Sequence, residues 1–154
     1  MCKFCWALVL VLFLTIASIS YLFIFKGQTI TASDGRSAIL LTTEERNLVL
    51  LEMRQFLEAV QIITTAINKD DMPAVARAAK KVGFAAQTAV PPALMKKLPM
   101  GFKKLGAGTH KAFDQLALDA ESLADKDYAL AQLGDLMTNC VSCHASYRFD
   151  IAVE

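Results

Sequence analysis

A long uncharged run near the N-terminus constrains the fold of this chain most. Residues 4–25 carry no charge and are rich in Leu, Ile, Val and Phe. As a helix that rises about 1.5 Å per residue, the run is long enough to cross a hydrocarbon core of roughly 30 Å. It therefore predicts a transmembrane anchor over residues 1–26.

A cleaved signal peptide is the alternative interpretation of the same run. Signal peptides have a shorter apolar stretch that ends at small residues. Cleavage at Ser18 or Ser20 would leave an exposed apolar tail, and cleavage after Ala32 would need an unusually long apolar region. An uncleaved anchor is the prediction that these lengths favour.

Two cysteines, Cys2 and Cys5, lie at the beginning of the apolar run rather than after it. A lipoprotein cysteine would follow the run instead, so a lipid anchor is disfavoured. Lys3 favours an N-terminus on the cytoplasmic side, because positive charge is retained there. We assign no function to these two cysteines.

The rest of the chain divides into a short polar segment and a helical domain. Residues 27–41 contain Gly27 and Gly35 and lack sustained periodicity, which predicts a linker. Thr42 followed by Glu45 has the pattern of a capping box at a helix start. Residues 42–154 are therefore predicted to form one domain.

Apolar residues recur at three- and four-residue steps through this domain, which is typical of helices with one buried face. The stripe in the first helix consists of Met53, Phe56, Leu57, Val60, Ile63 and Ile67. Asp71 before Pro73 predicts the start of a second helix, and Pro91-Pro92 predicts its end near Ala89. A third helix is expected from about Met100, and a fourth follows Asp127. No alternating strand pattern is evident, so we predict an all-α, up-down-up-down four-helix bundle after the transmembrane helix.

The strongest chemical signal is Cys140-Val-Ser-Cys143-His144 on the fourth helix. C-x-x-C-H is the attachment signature of c-type haem. Positions i, i+3 and i+4 share one helix face, so two thioethers and one axial imidazole can reach the same haem. The motif predicts one haem c bound covalently through Cys140 and Cys143, with His144 as an iron ligand.

Other roles for the two cysteines fit the sequence less well. A C-x-x-C redox pair normally lies in a strand–helix context, which is not predicted here. A structural zinc site needs further ligands, and His110 is the only other histidine in the chain. Covalent haem remains the favoured interpretation, with a chance match of five residues as its alternative.

The motif and its surroundings resemble the class II c-type cytochromes, the cytochrome c-prime group and its low-spin relatives. Those proteins carry the motif at the end of the fourth helix and a basic residue four positions after the histidine, here Arg148. The longer pattern His144-Ala-Ser-Tyr147-Arg148 resembles the C-terminus of the related four-helix b-type cytochrome. The resemblance covers residues 43–149 and implies a four-helix haem fold with Tyr147 and Arg148 near the cofactor.

The resemblance also bears on the second axial position of the iron. Low-spin members use a methionine early in the first helix, and Met53 lies there on the apolar stripe. A thioether is a known haem ligand, although a methionine on such a stripe is also a common core residue. Met95 and Met100 are weaker candidates. We predict Met53 as a ligand and His110 as a structural residue.

Charge is unevenly distributed although its net value is only +1. Residues 72–113 hold eight basic residues and no acid, and 114–135 hold six acids. Lys96, Lys97, Lys103 and Lys104 are predicted either to surround the haem edge, where they would pair with propionates or guide an acidic redox partner, or to form an ordinary solvated loop. Aromatic residues make up 8% of the chain, so nucleic acid is not an expected partner.

Together these patterns predict a single-electron carrier rather than an enzyme, because no carboxylate pair or nucleophile–base arrangement is evident. The expected location is a bacterial inner membrane with the haem domain in the periplasm. Redox proteins in or on the membrane are the expected partners, and a homodimer remains open. The alternatives are a haem protein that binds nitric oxide or carbon monoxide at an open iron position, and a tethered helical bundle without haem.

Overall fold

The computed structural model describes residues 3–152, which are mostly helical. Helix α1 spans Lys3–Ser20 and continues as a π-helical turn over Tyr21–Lys26. None of its residues is buried, and of the described helices α1 alone is long and apolar enough to cross a membrane. By length and composition, α1 fits both a membrane anchor and a signal sequence. Residue 2, and with it Cys2, lies outside the described part.

Five further helices follow. They are α2 (Thr43–Asn68), α3 (Met72–Lys81), α4 (Pro92–Lys97), α5 (Met100–Ser122) and α6 (Lys126–Ser146). The capping box at the start of α2 is confirmed, since the Thr42 side chain accepts from the Glu45 N–H and the Glu45 carboxylate accepts from the Thr42 N–H at 2.9 Å. The Asp71 cap is also confirmed, because its carboxylate accepts from the Ala74 N–H at 3.0 Å.

The second predicted helix ends earlier than expected, at Lys81 rather than near Ala89. Side chains of α5 bind backbone groups that would form hydrogen bonds within the helix if it continued. His110 contacts the carbonyl oxygens of Val82 and Gly83, and the Asp114 carboxylate accepts from the Phe84 N–H at 2.9 Å. The chain then forms a 3-10 turn over Phe84–Ala89 and the short helix α4 in place of the predicted loop.

A three-stranded sheet corrects the prediction of an all-α fold with a linker over residues 27–41. Its strands are β1 (Thr29–Thr31), β2 (Ser37–Leu41) and β3 (Tyr147–Ile151), in the order β1-β2-β3. β1 pairs antiparallel with β2, with Thr29 opposite Ile39. β2 pairs parallel with β3, so that Ser37 lies opposite Tyr147 and Leu41 opposite Ile151.

The local sequence explains why this segment folds. Gly35 has a φ of +83°, which glycine adopts without a steric cost, and its N–H donates to the Ala32 carbonyl at 3.0 Å to close a turn. After the turn, Ala38, Ile39 and Leu41 are buried in the central strand. The short apolar run is thus a buried strand rather than a linker.

Two apolar clusters fill the interior. The helical core lies between α2, α3, α5 and α6, where α2 contacts α3 and α6, and α5 contacts α3 and α6. The sheet-side core consists of buried Ile39, Leu41, Val49, Leu94, Leu98 and Phe102 and the partly buried side chains packed on them. Leu57 is 70% exposed, so its assignment to the predicted buried stripe was wrong. It lies one position away from the series of buried and partly buried residues of α2.

Candidate functional site

The cysteines and the histidine of the C-x-x-C-H motif lie on the last two turns of α6. That helix begins at Asp125, whose carboxylate accepts from the Asp127 and Tyr128 N–H groups at 2.9 and 3.0 Å. Its regular geometry gives Cys140, Cys143 and His144 one common face. The spacing predicted from the sequence is therefore present in the fold.

The two thiols lie between the two cores. Cys140 is partly buried against the helical core, and Cys143 is partly buried against the sheet-side core. Neither forms a disulfide. Burial raises the pKa of both thiols, and burial together with the neighbouring Cys140 raises that of Cys143 to about 11. Both sulfurs therefore keep their protons near neutral pH.

The imidazole of His144 is exposed, whereas the backbone of His144 is fixed at the end of α6. Arg36 donates through Nη1 to the carbonyl oxygens of His144 at 3.2 Å and Tyr147 at 3.4 Å. The Tyr147 N–H donates to the Cys143 carbonyl. A cation at a helix C-terminus is favourable, so Arg36 stabilises the turn that carries the motif.

Arg36 belongs to an ionic network that joins the β1–β2 turn to β3. Asp34 accepts from Arg36 at 2.7 Å and from Arg148 at 3.3 Å, and Arg148 also donates to Asp150 at 2.9 Å. The side-chain and backbone hydrogen bonds from Arg36 lower the pKa of Asp34 to about 2. Arg148, predicted near the cofactor, is placed in this network on β3.

Tyr147, also predicted near the cofactor, lies on β3 within the sheet-side core. Its ring meets Phe102 edge-on with 5.7 Å between centroids. Its hydroxyl lies against Gly101 at the start of α5, where any larger residue would collide with it. Tyr147 therefore connects the end of the motif to the start of α5.

Met53 packs against the same sheet-side core as Cys143. It is partly buried on α2, one turn after the buried Val49. The structure thus brings the predicted ligand and one attachment cysteine to one apolar cluster. Met95 is 40% exposed on α4, and Met100 opens α5 as a half-buried residue.

His110 is buried in the middle of α5 with both ring nitrogens engaged. Nδ1 lies 2.8 Å from the Val82 carbonyl, and Nε2 lies 3.3 Å from a carboxylate oxygen of Glu52. Burial acts to lower its pKa, but the hydrogen bonds to Glu52 and Val82 outweigh it and raise the pKa above 6.5. The ring also packs on Phe56 at 4.9 Å. These contacts give His110 a structural role in a fully buried position, whereas the sequence predicted a surface or partly buried structural residue.

The residues that would hold the predicted haem lie at and near the end of α6. They provide two unpaired thiols and one imidazole on one face, with a thioether in the adjoining core. Within residues 3–152, no three His, Cys, Asp or Glu side chains converge as ligands to one metal ion. A haem iron needs fewer ligands from the protein than a bare metal ion, because the porphyrin supplies four ligands and the chain supplies only the axial ones.

Two residues that were not predicted from the sequence hold the end of α6 in place. They are Arg36, which binds carbonyl oxygens there, and Asp34, which pairs with Arg36. The pair Asp34-Gly35 is common in hairpin turns, and this was the sequence signal from which the turn could have been predicted. No protein-family model, curated protein or solved structure matches the chain.

Proposed function

We propose that this chain is a membrane-anchored, single-haem c-type cytochrome that transfers single electrons. The observation that carries the proposal is the C-x-x-C-H motif at the end of α6, where both thiols are partly buried and unpaired. Bound haem would supply an iron that cycles between ferric and ferrous states. The chain itself would hold and orient the cofactor rather than transform a substrate.

Covalent attachment would use the two unpaired thiols. Cys140 and Cys143 would each add their S–H across one vinyl group, so that one S–C bond and one C–H bond form and no oxidant is needed. The raised pKa of each thiol favours its protonated form, which is a poor partner in thiol–disulfide exchange. Burial therefore protects both thiols from oxidation before attachment.

The axial positions are assigned from the placement of two side chains. His144 would ligate the iron from the face of α6 that bears the cysteines. Arg36 fixes the backbone of that turn, which would restrict the orientation of the imidazole. Met53 is the proposed second ligand, because it shares the sheet-side core with Cys143.

The finer architecture that this function requires is an up-down-up-down four-helix bundle. The contacts of α2 with α3 and α6, and of α5 with the same two helices, support that arrangement. In such a bundle the start of α2 and the end of α6 share one end. Met53 and Cys143 would then both lie at the end of the bundle that holds the haem.

Retention of the anchor is the proposed basis for location. Cleavage after Ala32 would remove β1 from the sheet, and the Tyr21–Lys26 turn already contacts α4 and α5. An uncleaved α1 would place the haem domain in the periplasm of a bacterial inner membrane, with membrane-bound redox proteins as partners. A homodimer remains a further proposal.

A second candidate, reversible binding of nitric oxide or carbon monoxide, is favoured by the apolar surroundings of Met53. Val49, Leu94 and Phe102 in the same core offer no charged or strongly coordinating group. If the Met53 sulfur stays packed among them, the iron position opposite His144 would face only apolar side chains. A small uncharged gas would suit such a position.

Absorption spectra of the purified ferric and ferrous protein test this proposal. Low-spin spectra that do not change with carbon monoxide are expected, and Met53→Ala should convert them to high-spin, gas-sensitive spectra. Met137→Ala, at an exposed site on α6, is the matched control and should change neither. An unchanged Met53→Ala spectrum would remove Met53 from the iron, and a gas-sensitive parent protein would favour the second candidate.

A further inference from the structure

The junction between the apolar N-terminal helix and the folded domain is tightly packed. The Gln28 N–H donates to the Lys97 carbonyl at 2.8 Å, which ties the chain after the anchor to the end of α4. Gly27 lies so close to the α4–α5 junction that an added Cβ would come within 2.7 Å of the Pro99 nitrogen. The domain therefore has a fixed face beside the anchor rather than swinging on a flexible tether.

Aromatic residues mark where the membrane surface would meet this junction. Tyr21 and Phe25 are exposed on the last turns of the anchor, and their rings stack with 6.2 Å between centroids. Trp and Tyr side chains, such as Tyr21, concentrate at both interfaces of a bilayer, and Trp6 lies near the other end of α1. The interface would thus lie at the Tyr21–Lys26 turn, which contacts α4 and α5.

Basic side chains lie on this turn and on the two helices that it contacts. Lys26 ends it, Lys96 lies on α4, and Lys103 and Lys104 lie on the first turns of α5. Lys26, Lys96 and Lys104 are exposed, and among residues 3–152 none of these four lysines has an acidic partner within ion-pair distance. Lys97 differs, because it pairs with Glu45 at 2.7 Å.

We propose that these four lysines form a membrane-contact surface that binds the anionic phospholipid headgroups around the anchor. The surface lies beside a helix that would enter the bilayer, so a lipid surface is the partner that the chain itself brings within reach. Attraction between lysines and an anionic leaflet falls off within a Debye length, about 8 Å at physiological salt. Contact would hold the end of α6, and with it Cys143, at a fixed height above the membrane.

The proposal rests on the retained anchor of the proposed function, but it does not depend on haem. Lys69, in the turn after α2, and Lys126, at the start of α6, provide internal references. Each lies at the helix end away from the sheet, and α2 and α6 are about 39 and 32 Å long at 1.5 Å per residue. Both reference lysines are exposed. With the sheet end of the domain at the membrane, they would lie beyond the reach of headgroup charge.

Lysine acylation of the full chain in vesicles, followed by mass spectrometry, tests the contact. Vesicles of phosphatidylcholine alone are compared with vesicles of equal parts phosphatidylcholine and phosphatidylglycerol. We expect Lys96 and Lys104 to react about fivefold more slowly in the anionic vesicles, relative to Lys69 and Lys126, and the difference to vanish at high salt. Equal rates, or slowing shared by the reference lysines, would overturn the proposal.

Charge reversal provides a second, independent measurement. In a Trp6→Phe, Met95→Trp background, brominated lipid in anionic vesicles should quench the fluorescence at position 95 on α4. Lys96→Glu with Lys104→Glu should abolish most of that quenching, whereas Lys69→Glu with Lys126→Glu should preserve it. Quenching that is the same in all three proteins would also reject a role for these lysines.

Further outcomes distinguish lipid binding from binding of acidic protein, and distinguish failure of this proposal from failure of the proposed anchor. If polyglutamate protects Lys96 and Lys104 where phosphatidylglycerol does not, the surface binds acidic protein and the lipid assignment fails. A chain that does not float with the vesicles refutes the anchor in the proposed function. A chain that floats and leaves both lysines reactive refutes only the membrane-contact surface.

Discussion

The two cores of this molecule are built in different ways. The helical core consists mainly of Ala, Val, Ile and Leu side chains, together with Met72 and Phe113, and Cys140 packs against it. The sheet-side core gathers β2, the start of α2, α4 and the start of α5, and Cys143, Met53 and Tyr147 pack against it. Each core therefore holds one of the two motif cysteines, whereas Met53 and Tyr147 pack against the sheet-side core alone.

This difference suggests a division between stability and function. Substitutions deep in the helical core, away from Cys140, should mainly reduce the free energy of unfolding. Substitutions around the sheet-side core should alter the position of the end of α6 at a smaller cost in stability. The predictions below run from the largest expected effect to the smallest.

Leu116→Ala should destabilise the protein most. Leu116 is fully buried in the helical core, and a buried leucine truncated to alanine typically costs about 2–5 kcal/mol. Leu118→Ala, at a site 57% exposed on the same helix, should change stability by less than about 0.5 kcal/mol. Urea denaturation measures both, and equal losses would contradict the assigned core.

Gly27→Ala should loosen the junction beside the anchor. Gly27 has a φ of +62°, and an added Cβ would collide with the backbone of Lys97. A strained backbone position of this kind costs of the order of 1–3 kcal/mol. Gly134→Ala, on an exposed and open part of α6, should instead stabilise by about 0.5–1 kcal/mol. Thermal unfolding in detergent should show changes in melting temperature of opposite sign for the two variants. Changes of the same sign would count against the packed junction.

Arg36→Ala should fray the last turn of α6. Loss of its hydrogen bonds to the His144 and Tyr147 carbonyls should cost about 1 kcal/mol. Hydrogen exchange should accelerate for amides in the last turn and in β3, but not in the first turns of α6. Arg54→Ala, at an exposed site on α2, is the control and should leave exchange unchanged. Unaltered exchange in Arg36→Ala would show that the sheet does not hold the motif.

The His110–Glu52 pair should make a small, pH-dependent contribution, because Glu52 is partly exposed to solvent. The folded state raises the pKa of His110 above 6.5, so the stabilisation is complete below that value and is lost as pH rises through the folded pKa. Glu52→Gln should therefore lower stability most on the acidic side of 6.5. The difference in free energy of unfolding between the parent protein and Glu52→Gln should disappear at alkaline pH. A difference independent of pH would contradict the pairing.

The parts of the fold that sequence predicted well depend on local signals. Thr42 with Glu45, and Asp71 with Ala74, fix helix starts through contacts three residues apart. Periodicity likewise identified Ile63 and Ile67 as interior positions. Such contacts are encoded within one or two helical turns, so a single sequence is enough to identify them.

The sheet could not be predicted because its pairing is distant in the chain. Ser37 pairs with Tyr147 across 110 residues, and no local pattern marks such a partner. The end of the second helix was also misplaced, since side chains from α5 bind the Val82 and Phe84 backbone. For the candidate site, local spacing identified Cys140 and Cys143, whereas Arg36 depends on the unpredicted sheet.

The central claim is tested most directly by haem that survives denaturing electrophoresis. The full chain, produced in cells able to attach haem c, should carry peroxidase-active haem at its own mass. Cys140→Ala with Cys143→Ala should lose that signal, while Cys5→Ala, at an exposed site on α1, should retain it. Absence of covalent haem in the parent chain, or its persistence in the double variant, would contradict the account.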